Sequence, residues 1–539
     1  MDTFGALLRQ WRRSEYLLEK VSVIMSVDPR FQRTRKQVIS AAASVLAVSL
    51  ALGACSSGES SDGDTTNLRV AIPSDVVSLD PQLQGDMTSM GVASNIFDTL
   101  TVRQADGELG PGLATKWEQT DPKTWMFTIR DGVEFQNGEK LDSDTVAFSI
   151  NRLLDPETKS PIVELANVKE AVAEDSSTVK FVMKQSDPVL PAKLSLFGGV
   201  VVPQKLIEKE GDEEFAKHPV GTGPYEFVSR SQADEIVLKA NSDYWGEAPS
   251  VENLTFKIMP DPSASIQTLQ AGEVDIVSAL STDAAAQLEG NPDTSVHSVP
   301  GIRTYSVNLD TISDGPLADR SVRQALNYAV DVPSLVDTIQ GGAAQQAATL
   351  LPSNAFGYDA SIKPYEHNVE RAKNLLKAAG YEDGFDTTLT ASETDSSLAQ
   401  AVSGQLAEVG VKAEVRVLDA QSAKSELITL NEKHDKGMFL MANSGWTMDA
   451  VSYIQSMVKS DRRSSRWDNK EANKLVIQGE TKTDDDDRIA AYKQLQTLLH
   501  DEAPFVYMFT IDNTYATSQG VEWDMPTTGV LSMAEAVKK

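Results

Sequence analysis

The side chains best suited to metal chemistry in this sequence are five histidines. They are His218, His297, His367, His434 and His500, and none lies within four residues of another. Structural zinc sites are built from cysteines and histidines, and catalytic zinc sites draw on closely spaced ligands such as His-x-x-x-His. With one cysteine and scattered histidines, the sequence excludes structural zinc and gives poor support to catalytic zinc. We therefore expect no metal and no cofactor.

A glycine-rich segment, Gly221-Thr222-Gly223-Pro224, is the nearest approach to a nucleotide-binding motif. Glu226 stands where the third glycine of a dinucleotide fingerprint belongs, and no phosphate-loop lysine follows. A tight turn before a strand at 225–228 explains the segment better. The sequence also lacks a Gly-x-Ser-x-Gly nucleophile elbow. These features predict that the protein is not an enzyme.

The single cysteine, Cys55, follows basic residues and an apolar stretch from Val38 to Leu52. That order is the layout of a secretory signal. A membrane-spanning helix, the alternative, needs about 20 apolar residues, and serines interrupt this shorter stretch. Leu52-Gly53-Ala54-Cys55 resembles a bacterial lipobox, which implies lipid on Cys55. We predict a signal peptide at 1–54, with Met25 as an alternative start, and a lipidated flexible linker at 55–67.

The charge of the chain is strongly acidic. The formal net charge is −29, and the eight basic and four acidic residues of 1–54 leave the remainder at −33. Such a surface repels nucleic acid and anionic lipid head groups, so we expect no nucleic-acid partner. With one cysteine, no internal disulfide can form, and stability must come from a large packed core. The length predicts two to four domains.

Strand and helix patterns interchange along the whole chain, which indicates mixed α/β domains. Alternation predicts strands at 68–72, 125–129, 178–182, 225–228 and 411–417. Apolar spacing predicts helices at 143–154, 322–330, 369–379, 398–409 and 484–499. Ser143 is the predicted N-cap of the first helix. Gly380 and Gly410 are the residues expected to stop the third and fourth helices.

Six ordered segments carry a family resemblance. They are 113–117, 124–138, 219–225, 241–246, 272–276 and 322–331, the last reading Val-Arg-Gln-Ala-Leu-Asn-Tyr-Ala-Val-Asp. In this order, behind a lipobox, they resemble the extracytoplasmic solute-binding proteins of the peptide, dipeptide and nickel class, family 5, which serve ABC transporters. The resemblance covers residues 68 to about 515.

The resemblance implies an α/β, two-lobed, periplasmic-binding-protein-like fold of type II with an extra α/β domain inserted in the first lobe. The first lobe would comprise 68–107, 219–305 and the return at 512–539. The extra domain would be 108–218 and the second lobe 306–511. Ligand would be gripped when the lobes close by a hinge motion.

The resemblance also implies ligand contacts at Gly445-Trp446-Thr447-Met448-Asp449. Asp449 would take the α-ammonium of a peptide, because a buried ammonium needs a charged partner. Ser444, Gly445 and Trp446 would form the flanking wall and pair with the peptide backbone. In the alternative interpretation, Trp446 is a core residue and Asp449 a surface carboxylate.

Further ligand-site candidates lie away from this segment. Asp86 and Met87 would face it from the first lobe. Tyr305 and Asn308 lie near the lobe crossing, and Asn308 could equally be a structural turn residue. After Asp449 the chain reads Ala450-Val451-Ser452-Tyr453-Ile454, where many relatives have proline, so the register of the site is open.

The function implied is capture of short peptides and delivery to a membrane permease with its ATPase subunits. The protein would be a monomer, lipid-anchored to the outer face of the cytoplasmic membrane. A second interpretation keeps the family but changes the ligand to a nickel chelate, haem, glutathione or an opine. A third, from another class, is an extracytoplasmic hydrolase or an adhesion lipoprotein, although no nucleophile–base pair is recognisable.

Overall fold

The computed structural model describes residues 65–104, 107–419, 422–423, 425–426, 437–460 and 465–539. The predictions for the signal peptide, Met25, Cys55 and His434 lie outside these residues. Within them, no helix combines the length and the apolar character that crossing a bilayer requires.

The first lobe begins with a strand that the alternating sequence predicted. The elements of this segment are β1 (Asn67–Ile72), α1 (Met87–Ile96), β2 (Thr101–Arg103) and β3 (Leu109–Pro111). β2 and β3 pair as a short antiparallel hairpin. β1 is almost wholly buried, as expected of a strand covered on both faces.

A separate four-stranded antiparallel sheet follows, in the order β4-β5-β7-β6. Its elements are β4 (Ala114–Asp121), β5 (Thr124–Ile129), α2 (Ser143–Leu154), β6 (Val168–Asp175), β7 (Thr178–Met183), α3 (Leu190–Lys193), α4 (Gln204–Glu210) and α5 (Asp212–Phe215). All fall inside the range predicted for the extra domain. One prediction is wrong: Asp142, not Ser143, caps α2, because the Asp142 carboxylate accepts from the backbone N–H of Thr145.

The chain then completes the first lobe's sheet. The elements are β8 (Tyr225–Ser231), β9 (Glu235–Ala240), β10 (Asn253–Ile258), α6 (Pro262–Gln270), β11 (Ile276–Val277) and α7 (Thr282–Leu288). β1 lies between β10 and β11, parallel to both. The glycine turn before β8 makes a close approach, since a Cβ on Gly221 would lie 1.9 Å from the carbonyl oxygen of Ile96.

The second lobe is richer in helix. Its elements, with the strands that lead in and out, are β12 (Thr294–Leu309), α8 (Arg320–Ala329), α9 (Val332–Ile339), β13 (Ala344–Gln346), α10 (Val369–Ala378), β14 (Phe385–Ser392), α11 (Ser396–Ala407), β15 (Val411–Leu418), β16 (Met438–Ser444), α12 (Ala450–Val458), α13 (Lys470–Thr481), α14 (Asp485–Glu502) and β17 (Phe505–Ser518). Gly380 and Gly410 follow α10 and α11 with φ of +87° and +88°. Both predicted helix stops are confirmed.

Two long strands join the lobes. β12 and β17 pair antiparallel from Thr294–Ser518 to Asn308–Phe505, with a register shift between Val299 and Arg303. β17 borders β11 of the first lobe, and β12 borders β16 of the second. The boundaries predicted at 305/306 and 511/512 fall inside these two strands, and the domain limits themselves stay a prediction.

The buried side chains of the described residues form three large cores. One combines the first lobe with the four-stranded sheet, from Leu68 and Phe127 to Phe256. The other two lie in the second lobe, one beneath α8 and α11 and one around Tyr453 and Tyr492. A last antiparallel pair, β18 (Val521–Glu522) and β19 (Val537–Lys538), follows β17. Each lobe therefore has a core of its own, as a protein that moves about a hinge requires.

Candidate functional site

The carboxyl ends of β14, β15 and β16 lie at one edge of the second lobe, because β14 is parallel to both of its neighbours. Ligands of open α/β sheets bind at such edges. β16 ends at Ser444, and β12 places Arg303 opposite it. The turn at 445–449 follows directly and leads into α12. Ser444, Gly445, Trp446 and Asp449 therefore stand together at this edge.

Asp449 is buried and already has partners. Its Oδ1 accepts from the backbone N–H of Val451 at 3.0 Å, which makes Asp449 the N-cap of α12. Nη2 of Arg488 donates to Oδ2 at 2.6 Å, and the hydroxyl of Tyr492 donates to Oδ1 at 3.4 Å. The Asp449 and Arg488 side chains are 6% and 4% exposed. The alternative that Asp449 is a surface carboxylate is therefore wrong.

The electrostatics of this pair favour the charged guanidinium of Arg488. Burial acts to lower the pKa of Arg488, but the charge and hydrogen bond of Asp449, together with Tyr492, outweigh it and raise that pKa. Burial and the Asp449 charge hold the pKa of Tyr492 well above its usual range. Sequence reasoning missed Arg488, which is 39 positions from Asp449. The contact of Asp449 with a ligand ammonium stays a prediction, and the ligand would share this carboxylate with Arg488.

Close packing against Tyr453 requires a glycine at position 445. A Cβ at this position would lie 1.9 Å from Cε2 of Tyr453, whose ring is fully buried under the turn. The Gly445 N–H donates to the carbonyl of Ile302 at 3.3 Å, which extends the contact of the turn with β12. Ser444, one residue earlier, is exposed. The turn therefore has a closely packed underside and a polar start at the sheet edge.

Contacts across the two lobes meet at this turn. The Trp446 and Phe197 rings pack edge to face, 5.8 Å apart, so Trp446 packs against the core that includes the four-stranded sheet. The guanidinium of Arg103, in β2, donates to the carbonyl of Thr447 and to that of Gly107. Val451 packs with Val189 and Ala192 of the extra domain. The structure thus brings the turn against both the first lobe and the extra domain.

Asp86 and Met87 lie at the start of α1. Oδ1 of Asp86 accepts from the backbone N–H of Ser89 at 2.9 Å, so Asp86 is the N-cap of this helix. Its Oδ2 is buried without a hydrogen-bond partner, and Met87 packs on the first core. In the described part of the chain, no hydrogen bond or ion pair joins either residue to the 444–449 turn. Their place opposite that turn stays a prediction.

Tyr305 and Asn308 differ in their surroundings. The Tyr305 hydroxyl donates to Oδ1 of Asp395 at 3.0 Å, and the Arg303 guanidinium lies over the Tyr305 ring, 5.2 Å from its centre. Burial raises the pKa of Tyr305 to about 12, and the neighbouring charges modify this shift. Asn308 lies inside β12 and is 1% exposed, so the turn-residue interpretation is wrong. A ligand contact for Asn308 stays a prediction that such burial does not favour.

A solvent-filled groove of about 910 Å³ lies elsewhere, on the extra domain. Its lining comes from α2, α4 and α5 and includes Asp142, Arg152 and Asp212. Arg152 forms ion pairs with Asp212 and with buried Asp80, so this cation of the groove wall is already paired. In the described ranges, no group of three or more His, Cys, Asp or Glu side chains is arranged to hold a metal ion.

Two α/β lobes, joined by two long strands and in contact at a sheet edge, are the architecture of a solute-binding protein. Residues 108–465 match the family model described as bacterial extracellular solute-binding proteins, family 5 Middle. The match spans well over half of the chain, and the chain belongs to this family. The family resemblance found in the sequence is thereby confirmed.

Individual relatives agree with this assignment. Glutathione-binding protein GsiB of Escherichia coli is 28% identical over 479 residues, which are 86% of this chain and 93% of that protein. The periplasmic binding protein DppA of Helicobacter pylori, solved with the peptide STSA, has a TM-score of 0.72 at 25% identity and covers 88% of this chain and 98% of its own. HbpA2 of Haemophilus parasuis has a TM-score of 0.80 at 22% identity, covering 88% of this chain and all of its own. The predicted two-lobed fold class is confirmed.

Proposed function

We propose that this solute-binding protein captures short peptides between its two lobes and delivers them to a membrane permease of an ABC importer. The observation that carries the proposal is the meeting of the lobes at the 445–449 turn. There Arg103 donates to the Thr447 carbonyl and Trp446 packs on Phe197. A ligand at this edge contacts both lobes, so its binding energy favours closure.

The hinge supports this mode of capture. In the described residues, the chain passes between the predicted lobes along β12 and β17, and a register shift between Val299 and Arg303 interrupts their pairing. Gly301 lies within this register shift, where a Cβ would lie 2.3 Å from the carbonyl oxygen of Ile511. Two adjacent strands can absorb a rotation at such a point while each lobe keeps its own core.

The choice of peptides as ligands rests on relatives. The H. pylori structure contains a tetrapeptide. The E. coli relative is named for glutathione, a ligand of the second interpretation, so glutathione is kept as the alternative ligand. Asp449 would contact the ligand's α-ammonium beside Arg488. The exposed end of β16 at Ser444 would pair with the ligand backbone, which reads a peptide without reading its side chains.

Attachment to the cell envelope forms part of the same proposal. Lipid on Cys55 would hold the protein outside the cytoplasm, beside its permease and ATPase subunits, and the protein would act as a monomer. Mass spectrometry of protein isolated from its native membrane tests the anchor, since a diacylglyceryl mass on Cys55 is the expected result. Cys55→Ser is the matched control and is expected to release the protein.

Calorimetry with a peptide panel tests the ligand class. Ser-Thr-Ser-Ala and glutathione are titrated in free and N-acetylated forms. We expect binding of a free peptide and a loss of about 10-fold or more on acetylation, because a charged hydrogen bond contributes about 1.5–3 kcal/mol. Equal affinity for both forms contradicts the ammonium contact. A co-purified nickel chelate, haem or opine contradicts the peptide assignment, and hydrolysis of the panel by pure protein contradicts a purely binding role.

A further inference from the structure

Arg303 is the exception in a buried stretch of β12. From Gly301 to Asp310 every residue is buried except Arg303, which is exposed. Its strand partners are Ser444, the last residue of β16, and Ile511. The side chain is therefore exposed beside the register shift of β12 and next to Ser444 of the predicted ligand wall. A cation held at that point meets whatever enters between the lobes.

Arg303 also differs from other arginines by its partners. In the described part of the chain, the others, apart from Arg371, donate to a carboxylate or a backbone carbonyl. They are Arg69, Arg103, Arg130, Arg152, Arg230, Arg320, Arg323, Arg416, Arg466 and Arg488. Among the described residues, the Arg303 guanidinium instead contacts the ring of Tyr305. Its guanidinium hydrogens thus remain available in a chain whose net charge is −29.

The surroundings orient this guanidinium. Tyr305 lies two positions along β12, on the same face, because side chains alternate along a strand. Its hydroxyl is fixed on Asp395, whose Oδ2 also accepts from the Ser392 hydroxyl at 2.6 Å. The ring is therefore anchored, and a guanidinium over an anchored ring keeps its planar fork accessible. Asp395 already has two donors and is not ion-paired with Arg303.

We infer that Arg303 binds a carboxylate of the ligand, and thus selects peptides with a free carboxylate at the hinge side of the cleft. The inference rests on the proposed peptide-binding function. A guanidinium forms two parallel hydrogen bonds with a carboxylate, and such charged, bidentate pairs are among the strongest in proteins. The shared chemistry is the carboxylate group, whether it is the C-terminus of the peptide or an acidic side chain.

The test measures Kd by calorimetry for the wild-type protein and for Arg303→Gln, Arg303→Lys and Arg371→Gln. Arg371 is the matched control, because it is also exposed and also lies over a tyrosine ring, 4.1 Å from the centre of Tyr328, in α10. The probes are Ser-Thr-Ser-Ala, whose one carboxylate is terminal, its C-terminal amide, glutathione and the two monoamides of glutathione. The two monoamides separate the two carboxylate sources.

We expect the wild type and Arg371→Gln to bind a free acid about 10- to 100-fold more tightly than its amide. In Arg303→Gln the ratio of the Kd of the amide to the Kd of the free acid is expected to fall to about 1, because the free acid binds more weakly. Arg303→Lys is expected to keep part of it, since an ammonium supplies charge without the fork. Normal peptide binding with an unchanged acid preference in Arg303→Gln overturns the inference and leaves the proposed function intact. Failure of wild-type protein to bind any probe overturns both.

Discussion

Two charged groups flank the same sheet edge and have opposite physical character. At the start of α12, Asp449 and Arg488 are buried together and bound to each other at 2.6 Å. Beside the register shift of β12, Arg303 is exposed and contacts an aromatic ring. A buried pair whose partners satisfy each other stabilises the turn, while an exposed cation with available hydrogens can serve a ligand. Residue type does not separate these roles, but burial and partners do.

The largest expected effect comes from breaking the buried pair. Arg488→Met leaves the Asp449 carboxylate buried without its cation, which costs about 3–5 kcal/mol of unfolding free energy. Thermal unfolding followed by calorimetry measures it. Arg320→Met, at an exposed pair with Glu502, is the control and is expected to cost less than about 1 kcal/mol. Equal losses in the two variants would contradict the distinction between the pairs. The double variant Asp449→Asn with Arg488→Met is expected to recover part of the stability.

A smaller loss is expected at the packed underside of the turn. Gly445→Ala places a methyl group into the Tyr453 ring, and overpacking of this kind destabilises a protein by about 1–3 kcal/mol. Gly404→Ala, in the exposed face of α11 with open space around it, is expected to stabilise by about 0.5–1 kcal/mol. Chemical denaturation compares the two. A neutral Gly445→Ala would show that the turn can move away from Tyr453.

The Tyr305 hydroxyl gives a pH-dependent contrast. Burial raises the pKa of Tyr305 from 10.0 to about 12 in the folded chain. The folded state holds this proton more tightly, so the contribution is intact below pH 10 and is lost as pH rises from 10 to 12. From pH 10 to pH 12, the free energy of unfolding of Tyr305→Phe is therefore expected to fall by about 1–2 kcal/mol less than that of the wild type. The remaining side chains are identical in the two proteins, so their contributions to the difference cancel. Parallel stability curves from pH 10 to 12 would contradict the shift.

The smallest effect on stability is expected at the residue with the largest effect on ligand preference. Arg303→Gln replaces an exposed side chain without a carboxylate partner, and such changes usually stay within about 0.5 kcal/mol. Its melting temperature is expected to match that of Arg371→Gln. A markedly lower melting temperature for Arg303→Gln alone would show that Arg303 stabilises the hinge. It would contradict the contrast drawn between Arg303 and Arg488.

Sequence patterns predicted local structure well because local rules govern it. Alternation located β1 and β15, and apolar spacing predicted a helix at 484–499, where the structure has α14. The cap of α2 was missed by one residue, since Asp142 and Ser143 are both good cap formers and backbone geometry decides between them.

The site was harder to predict for a different physical reason. The segment 444–449 was located through family resemblance, but the partner of Asp449 lies on α14, and nothing in the spacing of the two residues reveals the contact. Arg303 was passed over because its environment depends on three strands that meet from distant parts of the chain. Tertiary contacts of this kind are set by packing, which no local pattern encodes.

The pairing of β11 with β17 constrains the order in which the strands of the sheet can pair as the chain is synthesised. Ile276 and Val277 join the first lobe's sheet to residues 516–517, which leave the ribosome after the entire second lobe. Until β17 is in place, the first lobe's sheet is expected to have an unpaired edge at β11. Unpaired edges in such intermediates are prone to aggregate. The slowest folding step is therefore expected to be the late insertion of β17 between β11 and β12.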